Sequence, residues 1–295
     1  MKKHIISKLL CIGCFIFCIL SFNNIYAQDE PAKRPDRPVR SMFESNWLMN
    51  HQTVIVPIEG TFEMDIAHRF GTWDNGYDDF WGIYAPSNIR LGFTKVVMPK
   101  LQLGIGLTKN KNLWDFNLKY GIMEQTRSGR IPLSITYFGN MAIDTRDGDN
   151  FQASTDRYSY FHQIMIARKF SDKISMQISG NFSHFNAVTA FLNDNNESEG
   201  RMKNDHLSST VAFRYKLTDI TSLTGAYDIH ITDHPLDNPT ANLSIGFEFV
   251  TSSHAFQLFV GNYTSIVPQY NNFFNENSFG DNEISIGFNI TRLWN

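Results

Sequence analysis

The chain has 295 residues, with 26 Lys and Arg against 29 Asp and Glu, and a heavy aromatic load of 25 Phe, 11 Tyr and 5 Trp. That length allows one or two domains with a large core, and a net charge of −3 lacks the basic footprint of a nucleic-acid-binding protein. At 42% hydrophobic residues the composition also excludes a bundle of membrane helices, each of which needs about 20 consecutive apolar residues.

Lys2, Lys3 and Lys8 precede or open an apolar run from Leu9 to Phe22, and small and polar residues then lead to Ile25-Tyr26-Ala27. This is the order of a secretory signal peptide, with cleavage expected after Ala27. Cys11, Cys14 and Cys18 all fall inside it. A lipid anchor on Cys14 is the alternative, opposed by the apolar run that continues from Phe15 to Phe22. The mature chain would hold no cysteine, which excludes disulfides, thiolate metal sites and cysteine nucleophiles. Losing three of the 26 basic residues and no acid takes the net charge from −3 to −6.

Residues 29–40, with Pro31, Pro35 and Pro38 among several Lys and Arg, read as a solvated linker. Residues 41–58 are more apolar (Phe43, Trp47, Leu48, Val54, Ile55, Val56) but too short for a domain, and are expected to pack against the main body. From Gly60 onward strict alternation dominates, the period of strands with two unlike faces. Leu101, Leu103, Ile105 and Leu107 alternate with Gln102, Gly104, Gly106 and Thr108; Ile284, Ile286, Phe288 and Ile290 alternate with Ser285, Gly287, Asn289 and Thr291.

Such runs predict twelve strands, near 60–70, 87–98, 101–109, 113–124, 131–144, 158–170, 174–186, 206–217, 221–231, 241–250, 254–263 and 283–294. Most exceed the five or six residues typical of globular strands and match the roughly 9–11 of a tilted strand crossing a bilayer. Connections alternate between short and long, except at 109–112. Short periplasmic turns and longer outer loops are the pattern of an outer-membrane barrel. Closure makes such a sheet viable in lipid, because every backbone donor and acceptor pairs internally. The expected fold is therefore an all-β, closed antiparallel transmembrane β-barrel. Residues 1–27 are its signal peptide, 28–59 a linker and N-terminal periplasmic or plug segment, and 60–295 the barrel.

The apolar side should then face lipid and the polar side the lumen. The inward set contains the acids Glu63, Asp65, Asp115, Asp228 and Glu248 and the bases Arg69, Arg90, Lys119, Arg214 and Lys216. A strongly ion-selective pore would present rings of one sign. This balanced set points instead to cross-lumen ion pairs and a narrow or occluded passage, further blocked by residues 41–58. Phe70, Tyr158, Tyr160, Tyr215, Phe249, Tyr263 and Trp294 fall near strand ends and suit interfacial girdles. Either Phe161 or His162 faces lipid, depending on the register chosen for that strand.

Sites that would carry chemistry are weak. His230 and His234, with Asp228 and Asp233 nearby, lack a defined third metal ligand. The stretch 194–200 loosely resembles an EF-hand loop, but its Gly is seventh and its twelfth residue is Asp205, not Glu. His206 and Ser208 share a strand face, as a membrane-embedded serine hydrolase would need, with no evident orienting group or oxyanion hole. We expect no catalytic residues, cofactor or metal. The expected partners are outer-membrane lipid, the barrel-assembly machinery and a small solute, and no nucleic acid. The rival readings are a phospholipase-like enzyme and a structural or adhesive barrel acting through its outer loops.

The stretches His68-Arg-Phe-Gly71, Asp79-Phe-Trp-Gly82, Ser87-Asn-Ile-Arg-Leu-Gly92, Asp115-Phe-Asn-Leu-Lys-Tyr120, Ala167-Arg-Lys-Phe170 and Gly287-Phe-Asn-Ile-Thr-Arg-Leu-Trp294 resemble the outer-membrane β-barrel family numbered 5777 among domains of unknown function, over roughly residues 43–295. The resemblance implies a Gram-negative, Bacteroidota-type outer-membrane barrel, and no activity or binding residues come with it.

Overall fold

The computed structural model describes residues 36–192, 198–235 and 238–295. The expected signal peptide with its three cysteines, and residues 194–197 of the EF-hand-like stretch, lie outside the described residues.

A short ribbon opens the described chain: β1 (Trp47–Leu48) pairs antiparallel with β2 (His51–Gln52). The barrel strands begin with β3 (Phe62–Thr72), β4 (Asn88–Met98), β5 (Leu101–Thr108), β6 (Leu113–Met123), β7 (Ser134–Asp144), β8 (Tyr158–Lys169) and β9 (Ile174–Phe185). After a second ribbon, β10 (Ala190–Leu192) with β11 (Ser198–Arg201), come β12 (Asp205–Lys216), β13 (Thr221–His230), β14 (Leu243–Val250), β15 (His254–Gly261) and β16 (Ser285–Trp294). Between β15 and β16 lie a short α-helix, α1 (Pro268–Phe273), and a 3-10 turn at Phe279–Asp281.

Among the described residues, twelve antiparallel strands close into one barrel, and β16 pairs with β3 at the seam. Alternation is the cause. On β6 the side chains of Trp114, Phe116, Leu118, Tyr120 and Ile122 are exposed on the outside, while Asp115 and Lys119 are buried within. Each predicted strand is present. Four start two or three residues later than expected, at Phe62, Ser134, Leu243 and Ser285; before Ser134 the cause is Pro132, which has no N–H for the ladder.

At the ambiguous strand Phe161 points inward, buried with Phe138 and Met165, and His162 points outward. There its Nδ1 lies 2.7 Å from the Tyr137 hydroxyl. Tyr263, expected in a girdle, is instead buried: β15 stops at Gly261 and the chain turns inward, so its ring packs on Phe259.

Candidate functional site

Twelve strands enclose more volume than wall side chains fill, since eight already give an interior just wide enough for them. Two segments occupy the remainder, one from each end. The plug, residues 41–55, comes in from the short-turn end. Before it, residues 36–40 lie against the turn between β6 and β7, where Val39 N donates to Gln125 O at 2.8 Å. After it, the chain leaves at the same end, where Gly60 N donates to Val96 O at 3.0 Å.

Inside, β1 and β2 and their flanks are buried almost without interruption from Met42 to Val54. An isolated two-residue ribbon cannot satisfy its own backbone, so the wall does it. Gln257 accepts from Met49 N and donates to Trp47 O; Gln177 accepts from Val54 N and donates to Gln52 O. Thr136 donates to Val54 O, and Asn289 donates to Met49 O. Two glutamines thus replace missing strand neighbours on opposite sides of the hairpin, which keeps buried amides paired.

The charged side chains sit around this hairpin. Arg90 binds Asp115 through two contacts, Nε–Oδ2 2.8 Å and Nη2–Oδ1 2.9 Å, and Asp65 through Nη1 at 2.9 Å. Its guanidinium also lies 5.3 Å from the Trp47 ring of the plug. Space for this network comes from glycine. A Cβ on Gly106 would lie 2.2 Å from both Arg90 Nη2 and Asp115 Oδ2, and one on Gly92 2.2 Å from Asp65 Oδ1. The Asn46 side chain sits between an acid and a base: it donates to Glu63 at 2.6 Å and accepts from Lys119 at 3.4 Å.

Lys119 also donates to Ile55 O at 3.0 Å. Arg69 reaches Asn50 Oδ1 at 2.8 Å and Met49 O at 3.3 Å. Arg214 pairs with the plug's Glu44 at 2.7 Å, and Glu248 accepts from Ser45 at 2.6 Å. Asp228 accepts from Thr210 and Asn242 and lies 3.6 Å from His51 Nδ1. Nine of the ten sequence-selected polar residues are therefore buried in the lumen, and all nine lie in networks that reach the plug. The tenth, Lys216, is at the short-turn rim and pairs with Asp219 at 2.8 Å.

From the long-loop end a lid, residues 262–284, folds back over the interior. All six residues of α1 are buried. Gln269 donates to Asn140 at 3.0 Å, and Asn272 accepts from Ser208 at 2.7 Å. Phe185 packs against Tyr270, Phe273 and Phe274 with centroids 4.8–4.9 Å away. Burial beside the Asp144 carboxylate pushes the Tyr270 hydroxyl above its ordinary range. Lid and plug meet where Asn50 Nδ2 donates to Ser265 O at 3.0 Å.

The suspected chemical groups are differently engaged. Ser208 bonds Asn272 and Asn181, while both ring nitrogens of His206 are taken by other histidines, so no serine–histidine pair forms. His230 and His234 do come together, but on either side of His206 in a hydrogen-bonded row rather than around a common point. Among the described residues no group of His, Asp and Glu has the geometry of a metal site. Sequence reasoning missed His206 as the ring between the other two, because nothing in a 24-residue separation marks it.

An apolar exterior around a polar, hydrogen-bonded interior defines a transmembrane β-barrel. The chain belongs to the family described as a membrane-bound beta barrel domain (DUF5777), whose model matches residues 43–294. Among solved structures, the NanC porin is similar over 79% of this chain and 98% of its own, at 7% identity and a TM-score of 0.47. An outer-membrane channel from Pseudomonas putida F1 is similar over 81% and 97%, at 13% identity and 0.47. The KdgM porin is similar over 79% and 98%, at 8% identity and 0.43. No curated protein matches the chain.

Proposed function

We infer that the protein is an outer-membrane barrel, exported with loss of residues 1–27, that passes a small polar solute when its plug and lid are displaced. The short-turn end then faces the periplasm and the long loops face outward. The observation that carries this reading is the polar boundary between plug and wall. The hairpin is held by amides, carboxylates, guanidinium groups and one ammonium. Vacated, that wall would present hydrogen-bonding groups of both signs, a lining that water wets and small hydrophilic solutes cross. Outer-membrane lipid surrounds the barrel, and the assembly machinery inserts it.

Planar-bilayer recording tests this directly. The whole chain should be almost silent. Deletion of 41–58 should give small, interrupted currents, and replacing 264–282 by a short turn as well should give a steady one. A silent double variant that still shows the heat-modifiable gel migration of a folded barrel would sink the channel reading.

An adhesive role is the second reading, favoured by one outer loop. Tyr77 and Tyr84 are 77% and 79% exposed beside Phe80 and Trp81, which both adopt left-handed backbone (φ 53°). Bulky residues are held there at a cost. Cell or glycan binding lost on Tyr77→Ala with Tyr84→Ala would support it.

A further inference from the structure

Arg69 differs from the other buried bases. Arg90 and Arg214 bond acidic side chains directly, and Lys119 is joined to Glu63 through Asn46. Arg69 is 0% exposed, yet its terminal nitrogens donate only to neutral oxygens. These are His68 O at 2.8 Å, Phe288 O at 3.3 Å and Asn289 Oδ1 at 3.0 Å on the wall, with Met49 O at 3.3 Å and Asn50 Oδ1 at 2.8 Å on the plug. Among the described residues no acid pairs with Arg69, and its Nε has no acceptor. A buried charge ordinarily has a partner of opposite sign. This part of the wall is therefore complementary to an anion, which the plug does not supply.

The groups beside Arg69 grip a peptide backbone. Gln257 and Asn289 are cross-strand partners on β15 and β16, and β16 pairs with β3, which carries Arg69. Arg69 donates to Asn289 Oδ1, Asn289 Nδ2 donates to Gln257 Oε1 at 2.8 Å, and Gln257 Nε2 donates to Glu248 Oε1 at 2.9 Å. This relay fixes the orientation of both side-chain amides. Gln257 Oε1 then accepts from Met49 N at 2.9 Å, and Asn289 Nδ2 donates to Met49 O at 2.6 Å. One residue's N–H and C=O are thus held together, with the guanidinium on the carbonyl side. Met49 opens the two-residue turn between β1 and β2 at φ 56°, a backbone that glycine adopts more easily. The wall holds it there against that cost.

An acceptor for N–H, a donor to C=O and a guanidinium beside that donor match the end of a peptide. Its last N–H would meet Gln257, and its terminal carboxylate would meet Asn289 and Arg69. Guanidinium and carboxylate are the stronger pairing, whereas the plug offers the neutral oxygens of Met49 and Asn50. Strand-borne groups locked by their neighbours make a preorganised site. The cavity beside Arg69, Met49 and Asn289 measures about 10 Å³, room for one water and not for a carboxylate. The seated plug and such a ligand therefore exclude each other.

We propose that Arg69, Asn289 and Gln257 form a receptor for the carboxylate end of a short peptide or other N-acylated amino acid, which the plug occupies by mimicry in the closed barrel. This names the solute class of the channel reading and rests on that reading's withdrawal of the plug.

The probes are N-acetyl-trialanine and its C-terminal amide. The chain lacking 41–58, its folding checked by heat-modifiable migration, should bind the acid about tenfold more tightly in equilibrium dialysis, the gain of a charge-assisted hydrogen bond over a neutral one. Arg69→Met should bind both probes alike, Arg69→Lys should keep a preference for the acid, and Gln257→Met should weaken both. The full chain supplies a second readout, and decides alone if the deleted chain does not fold. With Cys11, Cys14 and Cys18 changed to Ala and Leu48→Cys as a buried reporter in the plug, excess acid should speed thiol labelling of position 48 several-fold and the amide much less.

Equal handling of acid and amide in either preparation overturns the proposal. So does a preference that survives Arg69→Met, or acetate competing as well as unlabelled N-acetyl-trialanine. A barrel that tells acid from amide but carries no current removes the channel and leaves the site. A conducting barrel that does not tell them apart removes the site and leaves the channel.

Discussion

The plug and the lid fill the same cylinder by different means. The plug, continuous with β3, is held by basic side chains: Arg69, Lys119 and Arg214 all bond it, and Arg90 lies over its Trp47. The lid is held mainly by neutral amides, a serine hydroxyl and a cluster of rings around Phe185, with one cation, Lys111, 5.1 Å from the Tyr270 ring. Buried ions are costly to leave alone and tightly coupled to their partners, whereas neutral hydrogen bonds each contribute about 1 kcal/mol. The same barrel thus carries a firmly bound filler at one end and a looser one at the other.

The sharpest way to break that contrast is Arg90→Met. It strands Asp65 and Asp115 as buried carboxylates, and should lower global stability by about 3–5 kcal/mol, read as a fall in the unfolding temperature in detergent. Gly106→Ala attacks the same network by crowding. Its added Cβ collides with Arg90 and Asp115, and about 1–3 kcal/mol should be lost in that measurement. Asn272→Ala probes the lid, removing the acceptor of the Ser208 hydroxyl. It should raise amide hydrogen exchange across residues 268–274 by the equivalent of about 1 kcal/mol, with the global transition unmoved. A global shift as large as that of Arg90→Met would erase the distinction.

The smallest effect concerns the approach to the plug. The Ser128 hydroxyl donates to Asp36, and this bond holds the Asp36 carboxyl below its ordinary range. The folded form therefore favours the carboxylate. Its contribution is present above the ordinary aspartate range and fades as pH falls through the lowered folded value. Tryptic cleavage after Arg40 should quicken slightly in Asp36→Asn at neutral pH, and acid pre-incubation should add nothing further in that variant.

Much of the cylinder was legible in the chain. Alternation such as Trp114 to Ile122 fixes which face is apolar, and two-sided strands of that length have few other homes. The seam between β16 and β3 follows from closure. The interior was legible only as an inward list. That Glu63 would face Asn46, or Ser45 reach Glu248 across 203 positions, depends on how a hairpin of two-residue strands sits in a cylinder, and no local period encodes that. The helix of the lid spans six residues, less than two turns, too short to show a 3.6-residue repeat. Tyr263 misled because aromatic residues suit both an interface and a packed interior. Its proximity to Gly261, where the strand ends, was the unused signal.

The plug enters and leaves the lumen by the same end, with Val39 docked on the β6–β7 turn and Gly60 on the margin of β4. Topologically it is a folded-over finger rather than a thread. No chain terminus has to travel through the cylinder for the finger to be seated or withdrawn. A bulky domain fused ahead of residue 36 would remain on the short-turn side in both states, and the strand seam would not have to reopen for the finger to move.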